Sequence, residues 1–247
     1  FVKPRRFIVC SDIHGDMQDP VAVKALQAFT KDYNPEIRVI AGDLWDFRNL
    51  RKGASDSEKA ESLVDDWEAG IKFATDFFKG GKENVLMLGN HDVRLWHLAE
   101  STEGLIKDYC TDGIAKINQY CKRWNAKLIP YTVREGFYRI GHLKVIHGFA
   151  TGPNATATHI NSYQSNIIHG HTHNIAVVSV RSIEPREGRA IGCLCKLDMP
   201  YSNAKLGSLM WSHGWAFGEV YPNDEFQIFQ ARSIGGKYRV ATEIKTY

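Results

Sequence analysis

Hydrophobic positions in the first half of the chain fall into two alternating kinds of block. Short unbroken apolar runs at residues 6–11, 37–41 and 84–88 have the length and composition of buried strands. Longer stretches between and after them carry apolar residues at helical spacing. Residues 20–33 predict a helix with Val21, Ala25, Ala28 and Phe29 as its stripe. Residues 60–78 predict another, in which Ala60, Leu63, Val64, Trp67, Ile71, Ala74 and Phe78 recur before Gly80-Gly81 ends it. Just ahead, Ser55-Asp56-Ser57-Glu58 fits a capping box. A third helix is predicted over residues 112–124, with Ile114, Ile117, Cys121 and Trp124 inward.

The second half changes character. Residues 127–129, 137–140, 143–146, 167–169, 175–180, 226–230 and 238–244 read as strands joined by short connections, and long helical patterns are few. Strand–helix alternation followed by a strand-rich region predicts an α/β unit with a parallel sheet, covering helices and a second packed sheet. No internal repeat and no linker rich in Pro, Gly or Ser divides the chain, so residues 1–247 are expected to form one domain.

Composition narrows this only slightly. A hydrophobic fraction of 43% with 24% charged residues is that of a globular protein. No apolar run approaches the roughly 20 residues that cross a bilayer, and the N-terminal residues lack a secretion signal. Five cysteines at irregular spacing, Cys10, Cys110, Cys121, Cys193 and Cys195, argue against a disulfide framework and for reduced thiols in a cytoplasmic protein. A net charge of +3 is weak support for an anionic partner.

The informative feature is what stands at the strand ends. Five segments carry metal-ligand residue types: Asp12-Ile13-His14, Gly42-Asp43-Leu44-Trp45-Asp46, Gly89-Asn90-His91-Asp92, His147-Gly148 and Gly170-His171-Thr172-His173. Nearly all follow an apolar run and are bracketed by small turn residues, so their loops are expected to converge on one sheet edge. Imidazole nitrogens and carboxylate oxygens without thiolates suit manganese, iron or zinc. Two such ions about 3.5–4 Å apart are a recurring device for phosphate-ester hydrolysis.

In order and spacing these segments resemble the calcineurin-like metallophosphoesterase superfamily, over roughly residues 7–173. The resemblance implies a four-layer α/β/β/α sandwich of two mixed β-sheets flanked by helices. It also implies two divalent metal ions, with manganese placed ahead of iron, zinc or nickel. Asp12, His14, Asp43 and His173 would hold one ion; Asp43, Asn90, His147 and His171 would hold the other, with Asp43 bridging. A water ionised by the pair would be the nucleophile, His91 the general acid and Asp46 the carboxylate that orients it. Asp92 is expected to hold a ligand loop through backbone amides.

Histidines without motif context, His97, His142 and His159, read as ordinary residues, and His169 as structural or adjacent to the ligands. Asp16 caps the following helix or sits idle. Residues 48–52, with Arg48, Arg51 and Lys52, either meet an anionic substrate or form a solvated loop. The aromatic, glycine-rich residues 211–218 read first as core or turn packing and second as rings that stack on a base. This tail loosely resembles phage- or mobile-element-borne members.

Asp46 is followed by Phe47-Arg48 and the third motif ends in Asp92, which departs from protein serine/threonine phosphatases. The presence of His91 departs from enzymes cleaving lipid-precursor pyrophosphates. The expected activity is therefore hydrolysis of a phosphate ester, a diester ahead of a monoester, with nucleotide or nucleic acid as candidate substrate. A DNA exo- or endonuclease and an inert metal-binding scaffold are the alternatives.

Overall fold

A computed structural model describes residues 3–181, 183–199 and 206–240. Four strands, β1 (Arg5–Cys10), β2 (Ile37–Ala41), β3 (Glu83–Met87) and β4 (Ala126–Ile129), run parallel in that order. Connecting them are the helices α1 (Pro20–Tyr33), α2 (Asp56–Lys59), α3 (Leu63–Phe78), α4 (Arg94–Ser101) and α5 (Leu105–Arg123). A second sheet follows from β5 (Phe137–Ile140), β6 (Leu143–Ile146), β7 (Asn166–His169), β8 (Ile175–Val180) and β9 (Arg186–Ile191), with α6 (Ala155–Tyr163) between β6 and β7. The chain then returns as β10 (Gly214–Val220), β11 (Phe226–Ile234) and β12 (Lys237–Tyr238), which extend the first sheet antiparallel beyond β1. The strand orders are β12-β11-β10-β1-β2-β3-β4 and β5-β6-β7-β9-β8, both mixed.

Three layers of apolar packing hold this together. Ile8, Cys10, Ile40 and Leu86 on one face of the larger sheet pack with residues of α1, α3 and α5. Phe7, Val9, Val39, Val85 and Met87 on its other face meet Leu143, Val145, Ile168 and Ile191 of the smaller sheet. Ile146 and Ile167 meet Ile160 of α6 on the far side. The result is the four-layer α/β/β/α sandwich expected from the sequence.

Element boundaries follow local chemistry. Asp19 caps α1 by accepting from the backbone N–H groups of Val21 and Ala22, Pro20 occupies the first turn, and Asn34 in a left-handed conformation ends it. The buried stripe, however, is Ala22, Val23, Leu26, Phe29, Thr30 and Tyr33; Val21 and Ala28 face solvent. Two apolar lines run along this helix, and the sheet takes the one bearing Leu26 and Tyr33, the larger side chains.

The helix expected over residues 60–78 is two helices. Ser55 and Glu58 do form the capping box, but of the single turn α2; Ser62 then starts α3 by accepting from Asp65 N–H. Two caps seven residues apart give two starts, and Ala60 and Val64 are left exposed. The third helix begins at Leu105 rather than residue 112, because its first turns are polar or exposed. Strand β12 covers only the first residue of the predicted 238–244; residues 241–244 lie outside the described residues. Helices α4 and α6 and strands β9 and β10 were not foreseen.

Residues 214–218 are core, as first read. All seven residues of β10 are buried; Trp215 and Phe217 face the helices while Ala216 faces the other sheet.

One close approach in the helical layer gives a stability test. A Cβ on Gly70 of α3 would lie 2.2 Å from Nε1 of the fully buried Trp45. Overpacking of this kind costs about 1–3 kcal/mol. Gly70→Ala is expected to lower Tm by several degrees in a thermal melt and to shift tryptophan emission; an unchanged Tm would contradict this packing.

Candidate metal centre

Each candidate loop leaves the carboxyl end of a strand: Asp12 and His14 after β1, Asp43 and Asp46 after β2, Asn90 and His91 after β3, His147 after β6, and His171 and His173 after β7. The carboxyl ends of parallel strands are where open α/β sheets place their sites. The first two loops zip together through Asp12 N–H to Gly42 O (3.1 Å), with Ile13 and His14 N–H both donating to Asp43 O (2.9 and 3.0 Å). Across the sheet seam, His147 Nδ1 donates to Ala41 O at 2.8 Å. That bond commits Nδ1 as the donor and leaves Nε2 facing the site.

All seven residues expected as ligands converge. Asp43 Oδ2 is central, 3.8 Å from His14 Nε2, 3.3 Å from His147 Nε2 and 3.9 Å from His91 Nε2. On one side, His14 Nε2 and His173 Nε2 are 3.3 Å apart, and Asp12 Oδ1 is 3.1 Å from the latter. On the other, Asp43, His147 and His171 offer donor atoms within 4.8 Å of one another, and Asn90 Oδ1 is 3.0 Å from His147 Nε2. Asp12, His14, Asp43, His147 and His173 are buried, whereas Asn90, His91 and His171 are half-buried and form the mouth.

The backbone is strained where the ligands sit. Asp12, His14, Asp43, His171 and His173 all have positive φ, between 51° and 66°. Asp and His tolerate this region better than most residues, so backbone demand and ligand chemistry select the same side chains. Two motif glycines are explained by close approach. A Cβ on Gly89 would lie 2.1 Å from Asp43 Oδ1, and one on Gly170 would lie 2.0 Å from Ser11 Oγ and 2.5 Å from Asp12 Oδ2.

Carboxylates crosslink the loops. Asp12 Oδ2 accepts from His171 N–H (2.9 Å) and Asp43 Oδ1 from His91 N–H (2.8 Å). Asp92 accepts from the amides of Asp43, Trp45 and Gly89 at 2.7–3.0 Å, the geometry expected of a loop-holding residue. Asp46 Oδ1 accepts from His91 Nδ1 at 2.5 Å and from His14 Nδ1 at 3.2 Å. Burial pushes the Asp46 carboxyl up, but these histidines outweigh it and hold it well below the usual range.

Three residues were missed. Asp66 of α3, fully inside, accepts from the amides of Asp46 and Phe47 at 3.1 and 2.7 Å; burial raises its pKa to about 6. Its signal was a carboxylate one residue before Trp67 on the inward side of a helix. Arg94 Nη1 donates to Asp46 O at 2.6 Å, and no pattern marked it. Cys195 was read only as a reduced thiol; it is buried with Sγ 3.7 Å from His173 Nδ1.

Other candidates fall elsewhere. Arg48 is tied to Asp16 by two 2.7 Å bonds and to Glu61, and Arg51 pairs with Glu58, so both arginines of this loop are matched by acids. Asp16 thus serves Arg48 rather than capping a helix. His97 and His142 are exposed. Trp211 lies beside the cluster, its ring centroid 4.2 Å from that of His173.

The residues fit cations. Asp12 Oδ1 is fully buried and makes no hydrogen bond, and two imidazole nitrogens face each other beside it. Burial lowers the pKa of His147 and His173, but Asp43 and Asp12 respectively outweigh it and carry each to about 9. His171, by contrast, is pushed down to about 4 by burial and by His147. A pair of divalent ions would satisfy the same carboxylates without those protons.

Fold and cluster together define a two-sheet α/β protein with a histidine–carboxylate centre at the seam between its sheets. The family model described as calcineurin-like phosphoesterase matches residues 5–175, and the chain belongs to that family. Among solved structures, Vps29 from Chaetomium thermophilum superposes with a TM-score of 0.51 at 7% identity, covering 96% of this chain and 93% of that one. A metallophosphoesterase from Sphaerobacter thermophilus gives 0.51 at 13% identity, covering 96% and 90%. These likenesses show the fold. No curated protein matches the sequence. Among the described residues no helix is long and apolar enough to cross a membrane.

Two predictions follow from the titrating groups. Cations must displace protons from His147 and His173, so metal affinity is expected to rise with pH up to about 9, with proton release on binding. Calorimetry between pH 6 and 9 in buffers of different ionisation enthalpy measures both; pH-independent binding would contradict the site.

Behind the centre, His159 Nε2 accepts from the amides of Phe149 and Ala150, both at 3.0 Å, so it holds the chain after His147 only while neutral. Burial, then His147, lowers its pKa to about 4; burial, then His159, lowers that of His169 to about 3. The unfolded state therefore binds these protons first. Their stabilisation is complete above pH 6.5 and is lost as pH falls, by up to about 2 kcal/mol each at pH 5. Urea denaturation at pH 7 and pH 5 should show a smaller pH dependence in His159→Gln; an unchanged difference refutes the assignment.

Proposed function

We propose that this protein is a binuclear metal-dependent phosphoesterase. The observation that carries the reading is Asp43 Oδ2, which stands between a His14–His173–Asp12 group and a His147–His171–Asn90 group, with His91 at the open side. Asp12, His14, Asp43 and His173 would hold one divalent ion; Asp43, Asn90, His147 and His171 would hold the other. When bound, such a pair supplies water acidified to near-neutral pKa and neutralises charge on phosphate oxygens.

The remaining work falls to His91 and Asp46. The Asp46 carboxylate and its own carbonyl oxygen, 3.1 Å from His91 Nδ1, fix that ring by its inner edge. Nε2 is left toward the substrate side, placed to protonate a departing alkoxide. Asp66, through the amides of residues 46 and 47, keeps the Asp46 backbone in place.

A diester is favoured over a monoester. The third motif, Gly89-Asn90-His91-Asp92, is the form shared with nucleases and nucleotide phosphodiesterases. The structure adds that Arg48 and Arg51 are already paired with acids, so they provide no clamp for the second charge of a monoester.

A positioned acid contributes about 10²–10⁴-fold. His91→Ala is expected to lower kcat by that range on an alkyl ester, whose leaving group needs a proton, and by far less on an aryl ester. Steady-state kinetics on a bis-aryl diester, an aryl monoester, an alkyl diester and single-stranded DNA, with Mn²⁺ and after chelation, provide the comparison. Equal losses on alkyl and aryl esters would remove the proton-donor role. Turnover that survives chelation would remove the metal reading, and fastest turnover of DNA would make the protein a nuclease.

A further inference from the structure

We propose that Cys195 is a thiolate ligand of the ion held by His14 and His173, which gives that half of the centre a sulfur donor and a preference for zinc over manganese. This inference rests on the binuclear reading above.

Cys195 Sγ, a nitrogen of His14 and a nitrogen of His173 lie within 4.8 Å of one another, and all three residues are buried. The chain on both sides of the cysteine is pinned to the first ligand loop. Leu194 N–H donates to Asp12 O at 3.0 Å, Lys196 N–H to Met17 O at 2.9 Å, and Asp19 N–H to Leu194 O at 2.7 Å. Leu194 packs in the helical core, while Cys195 packs with Cys193, Met199, Met17 and Trp211 beside His173.

A second, independent observation marks the same space. Asp12 Oδ1 is wholly buried without a hydrogen bond, 3.1 Å from His173 Nε2 and 4.0 Å from His14 Nε2. The two Nε2 atoms are separated by 3.3 Å. Two nitrogens bound to one zinc ion at about 2.0–2.1 Å are roughly 3–3.5 Å apart. With the shared Asp43, the Asp12 carboxylate, two imidazoles and a thiolate would make a five-donor set whose sulfur suits zinc or iron, whereas manganese favours oxygen. Coordination takes the proton from sulfur and releases it to solvent.

The competing arrangement leaves the thiol where it now rests, 3.7 Å from His173 Nδ1, as an outer partner of the imidazole. Cobalt(II) separates the two. Wild-type protein loaded with cobalt is expected to show a near-ultraviolet sulfur-to-cobalt charge-transfer band. The band should vanish in Cys195→Ser with visible d–d absorption retained, and persist in Cys193→Ser. Competition should show a lower zinc-over-manganese selectivity in Cys195→Ser.

Visible d–d bands in wild type without the charge-transfer band overturn the ligand and leave the binuclear reading intact. Failure of wild type to bind cobalt removes both. Should Cys195→Ser not fold, absence of the band in wild type still refutes the proposal, and its presence in Cys193→Ser still supports it.

Discussion

Two carboxylates at the centre, both proposed as metal ligands, divide their oxygens between loop and cluster, and the arrangement depends on that division. Asp12 gives Oδ2 to the amide of His171, and Asp43 gives Oδ1 to the amide of His91. The other oxygen of each turns into the cluster. A charge-assisted bond of this kind is worth about 1.5–3 kcal/mol, and an amide left buried without it costs a similar amount. Each ligand is therefore also a strut joining two loops. Asp92 and Asp66 are struts alone, with five backbone amides between them.

This arrangement exists only because two sheets end at one place. The apolar layer between them sets the distance at which the loops of β1 to β3 meet those of β6 and β7. Positive φ at five ligand residues and buried carboxylates without solvent are costs, and packing elsewhere offsets them. Asp43 and Asp12 favour the protonated forms of His147 and His173, and a bound cation would take the place of those protons. Binding of cations and folding of the loops are thus one linked equilibrium.

The sequence made the loops legible and left their supports hidden. Motif spacing survives in one dimension because each ligand follows a strand that is itself an apolar run, and the boundaries of α1, β2, β5, β6 and β8 fall as the pattern predicts. Strand β10 escaped because both its faces are buried, which erases alternation and leaves a run of Gly, Ala, Trp and Phe before Glu219 and Val220. Strand β9 escaped for the opposite reason: Arg186, Glu187 and Arg189 make it look like a loop. Helix α4 follows directly on the third motif, where the ligand residues masked its start. Asp66, Arg94 and Cys195 reach the centre through space from two helices and a crossing loop, and only Asp66 sat on a residue pattern that hinted at it.

Asp46 draws these threads together. A single oxygen accepts from His14, a proposed metal ligand, and from His91, the proposed proton donor. Its partner oxygen is buried without a hydrogen bond, 3.7 Å from an Arg48 nitrogen already committed to Asp16. The carboxylate cannot tighten on one histidine without drawing electron density and position away from the other. On the proposed mechanism, ligand strength at His14 and proton delivery at His91 would both depend on this one group, which the two histidines hold by its side chain and Asp66 by its backbone amide. A residue of α3, outside every motif, would thereby help to set the relation between the two roles.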